Sequence, residues 1–319
     1  MATLTVPHNV PTPTQDAGAL KKAFDGFGTD EGKVIRILGH RNARQRRQIR
    51  DTYLQLYNES LIDRLYSELS GDFRKAIILW TYDPCERDAK LARKALENSQ
   101  KGVEHLKIIV EIACASSPNH LVAVRQAYIS LFQCSLEEDI ASIVSPSSLT
   151  NLLVALMSSY RYDKEVVDSA ISNSDASRLH EAIKTKQLDY DHVYWILSTR
   201  NFYQLRATFA CYKKTFGNLI AQDITSCGNG KLESVLKVVI CCLESPEIHF
   251  AEVIRDAIDG FGTDEDCLTR AIVTRAEIDL MKVREHYQNL HKTSLDKAVV
   301  GDTSGDYEDF LMTLLGARI

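Results

Sequence analysis

Apolar residues recur along the chain at the spacing of an amphipathic helix. Val34, Ile35 and Leu38 form one set, and Ile49 and Tyr53 begin the next. Residues three and four positions apart share one face of a helix, whereas the strict alternation typical of a half-buried strand is scarce here. The pattern therefore predicts an all-α protein.

Capping residues mark where several of these helices begin. Asn42, Ser117 and Asn201 precede helical segments, where a side-chain oxygen can accept a hydrogen bond from a free backbone amide. Pro118 follows Ser117 directly, and proline suits the first helical turn. The same role is predicted for two pairs that follow glycine turns: Thr29-Asp30 and Thr263-Asp264.

The helical pattern occurs four times. Steps of 75, 159 and 234 residues from Tyr53 reach three further tyrosines: Tyr128, Tyr212 and Tyr287. The same steps relate a second apolar set: Leu61, Leu136, Ile220 and Leu295. A long internal period decides the architecture, because each unit packs against its neighbours. We predict a tail and four repeats of about five helices each: residues 1–15, then 16–84, 85–163, 164–246 and 247–319.

The first and last repeats share a stronger likeness. Residues 25–31 recur unchanged as residues 259–265, and residues 70–73 recur with one change as residues 304–307. An acid accompanies each glycine turn about forty residues later: Glu68 and Asp302. A turn and a distant carboxylate kept together twice predict a single site in space.

The chemistry of this pair suits a hard cation. Gly26 and Gly28 allow backbone angles that other residues resist, so successive carbonyls can turn toward one point. The carbonyls of Phe24, Gly26 and Gly28 with a bidentate Glu68 would supply about five of the 6–8 oxygens that Ca²⁺ takes. Water or a lipid phosphate would complete the shell, and Mg²⁺ fits less well because it prefers a strict, hydrated octahedron. One carboxylate implies a weak intrinsic affinity, on the order of 10⁻⁴ M or poorer without a membrane.

The two inner repeats lack both parts of the pair. Their aligned glycine positions hold Lys101 and Val103 in the second repeat and Thr185 and Gln187 in the third. Their aligned acid positions hold Ile143 and Cys227. If the glycines only ended a helix, a repeat that lacked them could still keep the distant acid. Both are missing together in the inner repeats, which favours a site made of the glycine turn and the acid.

Composition and charge limit the classes of binding partner that the chain is expected to have. The 319 residues are 45% hydrophobic, which is enough for a large core. The net charge of −5 argues against nucleic acid as the main partner and against direct electrostatic attraction to an anionic membrane. The sequence has no run of about 18 apolar residues, so no membrane-spanning helix is predicted. Residues 1–13 do not resemble a secretory signal. The eight cysteines lack zinc-type spacing, so we expect reduced thiols in the cytosol.

These residues resemble the annexin family, whose calcium-site signature is Gly-x-Gly-Thr followed about forty residues later by Asp or Glu. The signature occurs twice, at residues 26–29 with Glu68 and at residues 260–263 with Asp302. The resemblance covers about residues 16–319, and residues 1–6, residues 38–42 and the loss of the inner sites are similar to plant annexins.

The resemblance implies a fold and a function. It implies a curved disc of four five-helix repeats with calcium loops on the convex face. It also implies Ca²⁺-dependent binding to acidic phospholipids such as phosphatidylserine, by a cytoplasmic protein that becomes peripheral on membranes when calcium rises. With two intact sites rather than four, membrane binding should need more calcium than in a fully equipped member.

Position by position, the resemblance implies a set of metal ligands. These are the carbonyls of Phe24, Gly26 and Gly28 with the Glu68 carboxylate, and the carbonyls of Ile258, Gly260 and Gly262 with that of Asp302. Secondary calcium positions are expected near Thr29 and Glu31 and near Thr263 and Glu265. Phe27 and Phe261 stand between the glycines, where each ring either enters the lipid interface or folds back onto its own helices.

Enzymatic and redox alternatives stay open beside this reading. Plant annexins have been linked to peroxidase activity through a histidine at the place of His40, although a loop histidine is the favoured interpretation. Cys114 and Cys242 match a pair suspected of redox sensitivity in many plant annexins, and buried cysteines are more often inert packing. Residues 228–231 lack the phosphate-loop pattern. Residues 302–305 match a short GTPase pattern that coincides with the proposed ligand Asp302, so nucleotide hydrolysis has no independent support.

The remaining alternatives concern partners and transport. Ile35-Arg36-Ile37 resembles a tripeptide proposed to contact F-actin, but two isoleucines on an amphipathic helix usually face the core. A calcium-permeable conductance has been reported for the family and would require a membrane-bound assembly. Calcium- or membrane-dependent self-association is a further alternative.

Overall fold

The regular structure of the chain is helical. The computed structural model describes residues 1–26, 28–98, 102–144, 147–228, 230–260 and 262–317. Across these residues it contains twenty α-helices and no strand. The prediction of an all-α protein with five helices in each of four repeats is confirmed.

Two compact units divide the chain. The first comprises Met1–Arg87 with Glu247–Ile319, and the second comprises Asp88–Pro246. Repeats 1 and 4 therefore belong to one unit, and repeats 2 and 3 belong to the other. Repeats 1 to 4 are the four successive groups of five helices.

Repeats 1 and 4 have helices of matching order and length. Those of repeat 1 are α1 (Pro13–Phe24), α2 (Glu31–Leu38), α3 (Ala43–Tyr57), α4 (Leu61–Glu68) and α5 (Gly71–Thr81). Those of repeat 4 are α16 (Pro246–Ile258), α17 (Glu265–Arg275), α18 (Leu280–His291), α19 (Leu295–Asp302) and α20 (Gly305–Leu314).

Repeats 2 and 3 follow the same order. Repeat 2 has α6 (Pro84–Glu97), α7 (Val103–Cys114), α8 (Pro118–Phe132), α9 (Leu136–Ile143) and α10 (Ser148–Met157). Repeat 3 has α11 (Ser169–Lys184), α12 (Asp191–Thr199), α13 (Phe202–Phe216), α14 (Ile220–Cys227) and α15 (Lys231–Glu244). No helix within the described ranges is both long enough and apolar enough to cross a bilayer.

The predicted caps are present at the helix starts. Asn42 accepts a hydrogen bond from the backbone of Gln45 at 3.0 Å, and the Gln45 side chain accepts from the Asn42 amide at 2.9 Å. The side chains of Ser117 and Asn201 accept from the backbone amides of His120 and Gln204 and so cap α8 and α13. Asp30 and Asp264 cap α2 and α17, the helices that follow the glycine turns. Each cap stabilises its helix by about 1 kcal/mol.

The recurring tyrosines are core residues. All four have no exposed surface: Tyr53, Tyr128, Tyr212 and Tyr287. In the first unit the core also holds Trp80, whose ring lies 3.5 Å from the guanidinium of Arg46. Arg46 pairs with Glu277 of repeat 4 at 2.8 Å, and burial lowers the pKa of Arg46 to about 10. A buried cation between an aromatic ring and a carboxylate thus joins repeats 1 and 4.

The segment before α1 is held against the first unit. The buried Thr3 donates its amide to the Ala276 carbonyl at 3.0 Å and its hydroxyl to the Leu314 carbonyl at 2.6 Å. His40 lies 2.8 Å from the Thr5 carbonyl through Nδ1. A carbonyl oxygen only accepts, so Nδ1 carries the proton. The residues that precede the first repeat are therefore fastened to both repeats of this unit.

Candidate metal sites in repeats 1 and 4

The glycine loop of repeat 1 needs glycine because of its backbone angles. Gly26 has φ 138° and Gly28 has φ 91°, which L-residues with a side chain adopt at a cost. A Cβ added at either position would meet nothing within 4 Å, so the requirement comes from the backbone and not from crowding. The loop closes where the Asp30 amide donates to the Ala23 carbonyl at 2.9 Å.

The loop of repeat 4 has the same geometry. Gly260 has φ 152° and Gly262 has φ 94°, again with open space around an added Cβ. The Asp264 amide donates to the Ala257 carbonyl at 2.8 Å, which matches the closure in repeat 1. The two loops therefore share their glycine backbone angles and their closing hydrogen bond as well as their sequence.

A threonine hydroxyl joins the repeat 1 loop to its distant acid. Thr29 donates to Glu68 Oε2 at 2.9 Å, and the Glu68 carbonyl lies 3.4 Å from the same hydroxyl. Glu68 is the last residue of α4, so the return of this helix brings its carboxylate beneath the loop. The sequence predicts Thr29 near a secondary calcium position, and in the structure its hydroxyl holds the acid.

Repeat 4 makes the same connection. The Thr263 hydroxyl donates to Asp302 Oδ2 and also lies 3.1 Å from the Asp302 carbonyl. The threonine that follows each Gly-x-Gly is the signal for this contact. It appears in both outer repeats at the same distance along the chain from the acid.

An arginine that the sequence analysis missed lies at the repeat 1 site. Nη2 of Arg64 donates to the Phe24 carbonyl at 3.3 Å and lies 3.1 Å from Glu68 Oε1. Two of the expected ligands, a helix-end carbonyl and the carboxylate, therefore converge on one cationic group. This convergence shows that these residues fit a cation. The aligned position in repeat 4, 234 residues later, holds Ala298, which has no charge.

Repeat 3 brings the aligned positions together without charge. Cys227 stands at the position of Glu68, and its thiol donates to the carbonyl of Ile183, which stands at the position of Phe24, at 3.2 Å. Burial raises the pKa of Cys227, so the group stays a neutral donor. Leu188 stands at the position of Thr29 and is buried in the core. The chemistry of a metal site is absent here although the positions converge.

Both outer sites open on one acidic cavity inside the first unit. The cavity measures about 350 Å³ and is lined by matching residues of repeats 1 and 4. Its acids are Glu31, Glu68, Asp72, Glu265, Asp302 and Asp306. Desolvation, followed by the negative charge of Glu31, raises the pKa of Asp306. Such a cavity attracts cations and repels anionic surfaces.

The described residues contain no group of three or more His, Cys, Asp or Glu side chains placed to hold a metal. Glu31 and Glu265 begin α2 and α17 and line the cavity, while Thr29 and Thr263 are engaged with the acids. Phe27 and Phe261, whose rings are predicted either to enter the lipid interface or to fold back onto their own helices, lie outside the described residues. So do Lys101 of the second repeat and Asn229 within residues 228–231.

The other candidate residues lie in packed surroundings. His40 is 9% exposed, and its Nδ1 is bonded to Thr5. Cys114 on α7 and Cys242 on α15 are buried and form no disulfide, and burial raises the pKa of Cys114 to about 12. A thiol must ionise to react, so burial disfavours redox chemistry at Cys114.

The tripeptide that resembles a proposed F-actin contact lies on α2. Ile35 and Ile37 are buried, and Arg36 between them is exposed. The helix therefore presents one residue of the tripeptide to solvent, as its amphipathic pattern predicts.

Known proteins resemble the chain over its whole length. A family model described as Annexin matches residues 15–80, 87–156, 174–239 and 249–314. Annexin D3 of Arabidopsis thaliana is 58% identical over 322 residues, which cover 100% of both chains. Annexin-like protein RJ4 of Fragaria ananassa is 46% identical over 99% of both.

Solved structures show the same fold. A structure named annexin III has a TM-score of 0.90 at 30% identity and covers 100% of this chain and 98% of its own. A structure of calcium-bound annexin (Sm)1 has a TM-score of 0.85 at 26% identity and covers 99% of this chain and 93% of its own.

Proposed function

The chain belongs to the annexin family, and from this premise we propose that it binds acidic phospholipid membranes through Ca²⁺ held at the glycine loops of repeats 1 and 4. Calcium-dependent phospholipid binding is the general role that family membership supports. The assignment to these two loops, and to their individual residues, is the finer part of the proposal.

One observation carries the assignment: each outer repeat joins its glycine loop to a distant acid through a threonine hydroxyl. The contact spans 39 residues in both cases. It keeps a carboxylate beside the helix-end carbonyl, and carbonyl and carboxylate oxygens are the ligands that Ca²⁺ prefers. The neutral Cys227–Ile183 pair of repeat 3 provides no such carboxylate.

In this proposal the ion supplies positive charge between two negative surfaces. The ligands in repeat 1 are the carbonyls of Phe24, Gly26 and Gly28 with the carboxylate of Glu68. Those in repeat 4 are the carbonyls of Ile258, Gly260 and Gly262 with that of Asp302. A net charge of −5 and an acidic cavity oppose contact with anionic lipid until calcium is bound. Lipid phosphate oxygens complete the ion's shell, so metal and membrane bind with mutual reinforcement.

The two sites act together because their acids line the same cavity. Glu68 and Asp302 both belong to its wall, so ions held by them face a shared surface. Two membrane-binding sites on one rigid protein bind more tightly than either alone, because the second contact forms at a high effective concentration. Phe27 and Phe261 are proposed to enter the lipid interface beside the ions, and the protein is proposed to be cytoplasmic and peripheral on membranes.

The test is co-sedimentation with phosphatidylserine-containing liposomes across a calcium titration. Glu68→Gln combined with Asp302→Asn should abolish calcium-dependent pelleting, because both carboxylates lose their charge while the helices stay intact. Circular dichroism checks the fold. Asp163→Asn with Glu165→Gln is the matched control, because it removes the same charge from exposed positions elsewhere. Normal pelleting of the first double variant would show the site assignment to be wrong.

A further inference from the structure

We propose that Arg64 is an internal competitor for Ca²⁺ at repeat 1, so that the two outer sites bind calcium unequally and the repeat 4 site fills first. The proposal rests on the function proposed above and adds a regulatory residue to one of its two sites.

The guanidinium occupies contacts that a metal at this site would use. Nη2 of Arg64 lies 3.3 Å from the Phe24 carbonyl and 3.1 Å from Glu68 Oε1. The other carboxylate oxygen of Glu68 accepts from Thr29 at 2.9 Å. Both oxygens of the acid are therefore engaged, and a bidentate metal needs both. Calcium at repeat 1 must displace the arginine, whereas nothing comparable stands at Ala298 of repeat 4.

An ion pair beside each loop is the same in both repeats. Lys21 pairs with Asp25 beside the first loop at 3.4 Å, and Arg255 pairs with Asp259 beside the last at 3.1 Å. These pairs are related by the same step of 234 residues. A cation one turn before the acid is the feature that repeat 1 has and repeat 4 lacks.

Arg64 is placed so that it can leave. Its Nε is buried without a hydrogen-bond partner, so the closed arrangement leaves one polar group unsatisfied. Its Nη1 already lies 3.8 Å from Glu59 Oε1, a carboxylate that can receive the guanidinium once it leaves Glu68. The side chain is 24% exposed, which leaves a path to solvent. The arginine therefore competes with the ion and does not block the site permanently.

The experiment is a calorimetric titration with CaCl₂ alone, without lipid, in backgrounds that leave one site. Asp302→Asn isolates the repeat 1 site, and Glu68→Gln isolates the repeat 4 site. In the first background, Arg64→Ala and Arg64→Gln should each raise calcium affinity at least about five-fold, the lower end of typical coupling between ligands. Two variants guard against a packing artefact, and circular dichroism reports folding.

Matched controls separate position from net charge. Arg74→Ala removes a nearby charge that contacts Tyr66 and the Leu69 carbonyl instead of the proposed ligands, and should leave affinity unchanged. Ala298→Arg in the second background should lower the repeat 4 affinity about five-fold or more, whereas Ala298→Gln should not.

The outcomes distinguish this proposal from the function on which it rests. Equal affinities with and without Arg64 in the Asp302→Asn background would overturn the competitor role and leave both sites standing. Absence of binding in that background even after Arg64→Ala would overturn the competitor role together with the repeat 1 site. Calcium binding that survives Glu68→Gln combined with Asp302→Asn would overturn the site assignment itself.

Discussion

Repeats 1 and 3 bring the same two positions together but fill them with different chemistry. In repeat 1 the Phe24 carbonyl and the Glu68 carboxylate meet at a guanidinium, and in repeat 3 the Ile183 carbonyl accepts directly from the Cys227 thiol. The approach of a helix end to a residue 44 positions later is thus a property of the repeat. Whether that approach becomes a cation site depends on the residue at the second position.

The loops of the two repeats differ in the number of residues that their closing backbone hydrogen bond spans. In repeat 3 the Gln187 amide donates to the Ala182 carbonyl at 2.8 Å, five residues back. In repeat 1 the Asp30 amide donates to the Ala23 carbonyl, seven residues back. Among the described residues, no backbone amide donates to the carbonyls of Phe24, Gly26 or Gly28, so the wider loop is compatible with the ion site proposed for them. An acid alone is therefore insufficient for a site.

The largest expected effect is the creation of a third site in repeat 3. Residues 184–190 are replaced by the sequence of residues 25–31, and Cys227→Glu is added. We expect the calcium stoichiometry to rise from two to three, because the wide loop and the acid are restored together. Equilibrium calcium binding measures it. Cys227→Glu alone should add no ion, and a third ion bound by that single variant would contradict the role given to the loop.

A smaller effect is expected when the loop glycines gain a side chain. Gly28→Ala and Gly262→Ala force alanine into φ 91° and 94°, at a cost of about 1–2 kcal/mol each. Each loop should then bind calcium about ten-fold more weakly, as measured by calorimetry.

Gly301→Ala is a stringent control for this change. Gly301 adjoins the ligand Asp302, lies in α19, and has open space around an added Cβ without a left-handed φ. Alanine there should stabilise the helix by up to about 1 kcal/mol and leave calcium affinity unchanged. Equal losses at Gly301 and Gly262 would show that backbone conformation is not the cause.

The smallest effect concerns the neutral contact of repeat 3. Cys227→Ala removes the hydrogen bond to Ile183 and should lower the free energy of unfolding by about 1 kcal/mol, while Cys227→Ser keeps a donor and should lose less. Urea unfolding at pH 8 measures both.

The contribution of this thiol should also depend on pH. The folded state raises the pKa of Cys227 above its ordinary value of 9.0, mainly through burial. Its contribution is therefore fully present below about pH 9 and is lost as pH rises through the folded pKa. The difference between wild type and Cys227→Ala should shrink at higher pH. A difference that grows there would contradict a protonated donor.

The sequence by itself determined the helical class, the four repeats, the caps at Asn42 and Asp30, and the restriction of glycine and acid to the outer repeats. These features rest on local periodicity, on the backbone freedom of glycine and on residues that recur at fixed steps, all of which are written along one dimension. The likeness of the 25–31 and 259–265 segments was sufficient to locate both loops.

The tertiary structure alone decided which groups touch the acids. Three contacts depend on groups that lie about forty residues apart in the sequence. Thr29 holds the Glu68 carboxylate, Arg64 donates to the Phe24 carbonyl, and the Cys227 thiol donates to the Ile183 carbonyl. Sequence spacing specifies which helix face a residue occupies but not which atom of a returning helix it meets. The two outer sites differ in one side chain, a guanidinium at Arg64 and a methyl group at Ala298. Only the packing of the helices shows that this side chain lies beside the proposed ligands.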